Sequence, residues 1–158
     1  MTMARPDGTA DATAAEAAPG PAPLVLDSSA LVRRYVADRH RPLVLDTMAG
    51  AEAWVASALA RSEVLVALHQ SATGPRAQEE AWSSVHADWD SLWEIPVDGR
   101  CLARATEIGA RFGITLTAAI HLAAADRLPR PVDFLTFDRR QIPAAAELGF
   151  TVISPSAA

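Results

Sequence analysis

Asp27, Glu63 and Asp138 are the side chains in this sequence best placed to do chemistry together. Asp27 follows Leu24-Val25-Leu26, and Asp138 follows the run Phe134-Leu135-Thr136-Phe137. Short continuous apolar runs of this kind read as buried parallel strands. In parallel α/β sheets ligands bind beyond the carboxyl ends of the strands, so both acids are expected at one rim. Glu63 stands about one turn into a helix predicted after Trp54-Val55-Ala56, which brings it to the same rim. Three carboxylates gathered there repel one another unless a cation offsets them. A hard divalent ion with oxygen ligands does so, and Mg2+ or Mn2+ suits carboxylates better than zinc, for which no His or Cys cluster is at hand. Such an ion makes hydroxide from bound water and neutralises charge developing on a phosphate. Taken singly, each acid also has a plain structural role: Asp27 as a helix cap, Glu63 as a solvated helix residue, Asp138 as the start of a turn.

The elements that must position these acids can be read along the chain. Leu24–Leu26 is the first strand, and Ser28 or Ser29 can cap a helix from Ala30 to about Val36. Pro42–Gly50 is a second helix, Trp54–Ala56 a second strand, and Ala58–Gln70 a third helix, ended by Thr73-Gly74-Pro75. Trp82, Val85, His86, Trp89 and Trp93 recur at helical spacing and predict one helix with an aromatic stripe. Ile95-Pro96-Val97 resembles an edge segment, because proline cannot donate to an inner ladder. A helix over 99–112 ends at Gly113, and another, capped by Thr115 or Thr117, runs to about Leu128. Phe134–Thr136, a short helix over Ala144–Leu148, and a last strand Thr151–Ile153 complete the series. Strands alternating with helices predict an α/β fold of three layers, with a central, mostly parallel sheet of four to five strands flanked by helices.

Composition narrows the chemistry further. The 158 residues fit one domain over 23–158 behind a tail over 1–22 that is rich in Ala and Pro and reads as disordered. The net charge of −5 falls to −3 once the tail is set aside, so any contact with nucleic acid needs a local basic patch. All 14 basic residues are arginines, and the absence of lysine excludes a P-loop, a Schiff base and a phosphoaspartate site of the receiver type. A HAD-like phosphatase is excluded as well, because Ser29 stands where its second acid is needed. Cys101 is alone and reads as a small buried hydrophobe. No apolar run approaches the roughly 18 residues that span a bilayer, and the N-terminus lacks the apolar core of a signal peptide. The cytoplasm is the expected location.

Four segments in order carry a resemblance. Leu24-Val25-Leu26-Asp27-Ser28-Ser29-Ala30-Leu31-Val32, Ala56-Ser57-Ala58-Leu59-Ala60-Arg61-Ser62-Glu63-Val64, Ala119-Ile120-His121-Leu122-Ala123-Ala124-Ala125 and Leu135-Thr136-Phe137-Asp138-Arg139-Arg140 resemble the motifs of PIN domains, and VapC-type toxins among them. The match runs from about Pro23 to Pro155. It implies metal-dependent RNA cleavage with Asp27, Glu63 and Asp138 as ligands to Mg2+ or Mn2+, supported by Ser29 and Thr136. It also implies a cognate antitoxin and a homodimer. The third motif departs from the pattern: Ala118 stands where an Asp is expected. Asp126 is too far along the helix to replace it, about 12 Å by the standard rise, and Asp133 belongs at the opposite rim. An engineered change, a degenerate natural member and an enzyme working with three carboxylates all fit that alanine.

Arg33, Arg34, Arg139 and Arg140 are the candidate contacts to RNA phosphates near the metal, with solvated helix faces as the plain alternative. His121, inside an Ala/Leu-rich helix, reads as a packed and hydrogen-bonded residue. Two functions follow from this reading. One is an endoribonuclease toxin cutting structured RNA such as tRNA, weakened by Ala118. The other is a non-catalytic PIN-fold module that binds an antitoxin or RNA.

Overall fold

The computed structural model describes residues 21–155. The expected disordered tail therefore lies outside the described residues, apart from Pro21 and Ala22. Five strands form one sheet: β1 (Leu24–Leu26), β2 (Trp54–Ser57), β3 (Trp93–Ile95), β4 (Asp133–Leu135) and β5 (Thr151–Ile153). Their order is β3-β2-β1-β4-β5, and every pairing is parallel. In such a sheet all carboxyl ends share one edge, so the residues just after β1, β2 and β4 become neighbours.

Among the described residues seven helices cover the two faces: α1 (Ser28–Leu31), α2 (Arg41–Gly50), α3 (Ala58–Ser71), α4 (Pro75–Trp89), α5 (Gly99–Phe112), α6 (Leu116–Ala125) and α7 (Gln141–Glu147). Side chains alternate across a strand, and the core divides accordingly. Leu24, Leu26, Ala56 and Leu135 pack with residues of α1 to α4, including Leu31, Met48, Val64 and Val85. Val25, Val55 and Phe134 pack on the other face with residues of α5, α6 and α7, including Ile108, Leu122 and Ala144. Each fully buried Leu, Val or Phe contributes about 1.5–3 kcal/mol, and the two layers together hold the sheet edge in place. Every residue of α6 from Ala118 to Ala125 is buried, which accounts for its uninterrupted apolar sequence. Gly113 ends α5 with φ 64°, the left-handed conformation that glycine adopts without strain. Among the described residues no single helix is long and apolar enough to cross a membrane.

The structure corrects several expected boundaries. The helix expected over Ala30–Val36 begins at Ser28 and lasts one turn before a 3-10 turn over Val32–Arg34; its cap is Asp27, not a serine. The aromatic stripe does not continue to Trp93. Helix α4 stops at Trp89, where the Ser91 and Leu92 amides fold back on Asp88 and Trp89, and Trp93 opens the edge strand β3 with 74% of its surface exposed. Strand β4 ends at Leu135, so Asp138 lies three residues past it rather than at its tip.

Candidate active site

Asp27 is the most deeply placed of the three acids, 2% exposed at the carboxyl end of β1. Its Oδ1 accepts the Ala30 amide at 3.0 Å and the Ser29 hydroxyl at 2.7 Å. Its Oδ2 lies 2.9 Å from Thr136 Oγ1, at the end of β4. Burial pushes the Asp27 carboxyl above its ordinary value of 3.8, against the pull of nearby His121 and of the bonds from Ser29, Ala30 and Thr136. Ser29 does double service: its oxygen also accepts the Phe137 amide at 2.8 Å, which ties the loop after β4 to α1.

Thr136 links the second acid to the first. Its Oγ1 accepts the Asp138 amide at 3.0 Å, so a single hydroxyl touches both the Asp27 carboxylate and the backbone of Asp138. The Asp138 carboxylate in turn accepts the Arg140 amide at 2.9 Å and has the Arg140 guanidinium 3.8 Å away. Ser29 and Thr136 both hold Asp27, and both hold the segment that carries Asp138.

Glu63, on α3, is held from another side. His121 Nε2 lies 2.6 Å from Glu63 Oε2 and 3.4 Å from Ser28 Oγ, while His121 Nδ1 meets Ser57 Oγ at 3.0 Å. Ser57 caps α3 by accepting the Ala60 amide, and its own proton is then available to His121 Nδ1, which leaves the Nε2 proton for Glu63. Burial works upward on Glu63, but His121, through its bond and its charge when protonated, and Ser28 outweigh it and hold the carboxyl below its ordinary 4.5. His121 is 3% exposed and hydrogen-bonded, as its setting in the sequence predicts, but its partner is Glu63.

Ala118, 7% exposed, contributes only a methyl group and its backbone. Its carbonyl accepts the side-chain amide of Gln141 at 3.1 Å. Gln141, Ser57 and the role of Ser28 escape sequence reading. Gln141 lies in a stretch that reads as loop, and a lone Gln beside Arg139-Arg140 signals solvent rather than a site.

The arginines divide. Arg33 donates to the Ser29 carbonyl and lies over the Phe137 ring at 4.2 Å, next to the acids. Its Nε is buried without a hydrogen-bond partner; Asp38 Oδ2, at 3.5 Å, gives charge compensation only. Arg34 grips Asp88 with two bonds of 2.6 and 3.0 Å, an engagement that turns it toward α4. Arg139 and Arg140 are exposed at the loop carrying Asp138. Asp133 begins β4, at the edge opposite the acids, and Asp126 pairs with Arg104 and Arg130.

Carboxylate oxygens are the donors that a hard cation takes. Asp27 takes protein donors at two of about four lone-pair positions and shares the Thr136 proton with Gln141, and Asp138 Oδ2 receives no hydrogen bond among the described residues. Among the described residues, however, no three His, Cys, Asp or Glu side chains close into a group able to hold an ion alone. An ion that keeps several waters, as Mg2+ does, fits this donor set better than one needing a protein cage.

An all-parallel sheet whose carboxyl edge carries Asp27 tied through Thr136 to the Asp138 backbone defines an α/β protein with helices on both faces. Residues 24–148 match the family model of the PIN domain. The chain is 36% identical over 136 residues to Ribonuclease VapC46 of Mycobacterium tuberculosis, a match spanning 85% of this chain and 99% of that protein. The fold is similar to that in a toxin-antitoxin complex from Klebsiella pneumoniae (TM-score 0.62, 16% identity, 85% of this chain and 99% of that one). It is also similar to VapBC-5 of Mycobacterium tuberculosis (TM-score 0.56, 16% identity, 87% and 100%). This chain belongs to the PIN-domain family.

Proposed function

We propose that this protein is a VapC-like toxin, an endoribonuclease that hydrolyses phosphodiesters of structured RNA such as tRNA with Mg2+ or Mn2+, and that Ala118 weakens it. The observation that carries this reading is the Thr136 hydroxyl joining Asp27 to the backbone of Asp138 at the ends of adjacent parallel strands. A relative named as a ribonuclease supports it. Asp27, Glu63 and Asp138 would hold the ion, in part through its waters. When bound, the ion supplies a nucleophile from water and offsets charge on the phosphate. The chain's own residues do the rest: Ser29 and Thr136 fix Asp27, His121 orients Glu63, and Arg33, Arg139 and Arg140 lie where an RNA backbone approaching the acids needs cations. Arg34 joins them only by releasing Asp88.

The partners follow from the same reading. The similar structures are a toxin-antitoxin complex and a member of the VapBC family of toxin-antitoxin systems, and we infer a cognate antitoxin for this chain, a homodimer as the working assembly, and the cytoplasm as the place of action.

Ala118→Asp is the deciding variant. It should gain Mn2+-dependent cleavage of structured RNA, and Mn2+ should raise its melting temperature more than that of the parent, since a ligand stabilises the state that binds it. The buried methyl of Ala118 favours a second reading, a non-catalytic module that binds antitoxin or RNA. Absence of cleavage by both forms, with binding retained, would support that module instead.

A further inference from the structure

We propose that Gln141 is a positioning residue for the acidic site, tying the backbone at position 118 to the two strand-end acids through Thr136. The inference rests on the metal-site reading above and deepens it.

The Gln141 side chain is 1% exposed, and a buried amide is costly unless both its ends find partners. Both do. Nε2 donates to the Ala118 carbonyl at 3.1 Å, and Oε1 accepts from Thr136 Oγ1 at 2.7 Å. The Ala118 carbonyl can only accept, so the NH2 group must face it and the amide oxygen must face Thr136. The orientation of Gln141 is thereby set by α6.

Thr136 has one proton and two acceptors within reach, Asp27 Oδ2 at 2.9 Å and Gln141 Oε1 at 2.7 Å, while its oxygen accepts the Asp138 amide. With Gln141 present, the Thr136 oxygen is held in place among three groups, and its one proton is shared between Asp27 and Gln141. Four segments meet in this arrangement: the ends of β1 and β4, the first residue of α7, and α6 at position 118. Position 118 is where the PIN pattern places an acid. The amide thus sets the distance between that position and the other two acids, whichever side chain stands at 118.

Gln141→Met keeps the shape and removes both bonds. In the full chain, Mn2+ binding followed by electron paramagnetic resonance of the free ion should weaken about tenfold, the usual effect of losing a residue that orients a ligand. Amide exchange of Asp138, read by NMR, should quicken about tenfold, while amides in the middle of β1 and β2 stay as protected as in the parent. Unchanged Mn2+ affinity with unchanged Asp138 exchange overturns the proposal, as does a uniform quickening across the core, which marks a role in stability alone. Should the parent bind no Mn2+, the metal reading falls, and Gln141 is judged on the Asp138 amide alone. If Gln141→Met does not fold, Gln141→Glu replaces it. That variant sets a carboxylate against the Ala118 carbonyl and should show the same two changes, and their absence overturns the proposal.

Discussion

His121 Nε2 and Glu63 Oε2, 58 positions apart in the sequence, meet at 2.6 Å and join α6 to α3 beside the acidic site. The other ring nitrogen is held by Ser57, so the imidazole is fixed at both ends. Replacing His121 by Ala removes both bonds and leaves a void. Urea unfolding should show a loss of about 2–4 kcal/mol; a loss below about 1 kcal/mol would mean that the bonds contribute little.

The acid limb of stability should depend on Glu63. Its carboxyl is held below its ordinary 4.5, so its contribution is complete above that value and is lost as pH falls through the lower folded value. Asp27 runs the other way: its pKa is raised, so protonation relieves a cost of burial as pH falls. Melting temperatures taken from about pH 7 down to about pH 3 should therefore fall less steeply for Glu63→Gln than for the parent. Parallel curves would remove Glu63 from the account.

Asp27→Asn should separate stability from function. The amide oxygen can still accept from Ser29 and Ala30, and its NH2 can donate to Thr136, whose proton is then free for Gln141. The variant no longer buries a charge. It should be more stable than the parent near neutral pH by about 1 kcal/mol while Mn2+ binding drops sharply, a trade expected where a site is built from unfavourably buried acids. A lower melting temperature than the parent would show that the charge itself is compensated.

Away from the acids, Asp88 gathers the Arg34 guanidinium and the Tyr35 hydroxyl, which bonds it at 2.9 Å. Burial and this bond push the Tyr35 phenol well above its ordinary 10.0. Asp88→Asn should cost about 1–2 kcal/mol in urea, discounted for partial exposure of the pair. The same change frees Arg34. If Arg34 contributes to RNA binding, Asp88→Asn should tighten binding and steepen its salt dependence. Unaltered affinity would confine Arg34 to a structural role.

Much of the fold is legible along the chain: an inner parallel strand buried on both faces, such as Leu24–Leu26, is apolar throughout. Leu24–Leu26 and Thr151–Ile153 begin and end where their residues predict, and Gly113 stops α5 where expected. The errors share one cause. Trp93 continues a helical spacing by arithmetic, yet the turn after Trp89 diverts the chain to the sheet edge. Asp27 takes the cap, the plain role the sequence also allowed it, in place of Ser28 or Ser29, and the same carboxylate meets Thr136, 109 positions away.

By itself the sequence determined most of the element types, the acids that follow β1 and β4 and the alanine where a fourth acid is expected, since these depend on residue identity and local spacing. Only the tertiary structure decided that Thr136 serves Asp27 and Asp138 together, that His121 belongs to Glu63, and that Gln141 spans from Ala118 to Thr136. Each of those arrangements turns on a bond between segments distant in the chain, Thr136 to Asp27, His121 to Glu63 and Gln141 to Ala118. A hydrogen bond needs atoms about 3 Å apart, a condition that packing of the two helical layers on the sheet sets and local sequence cannot express.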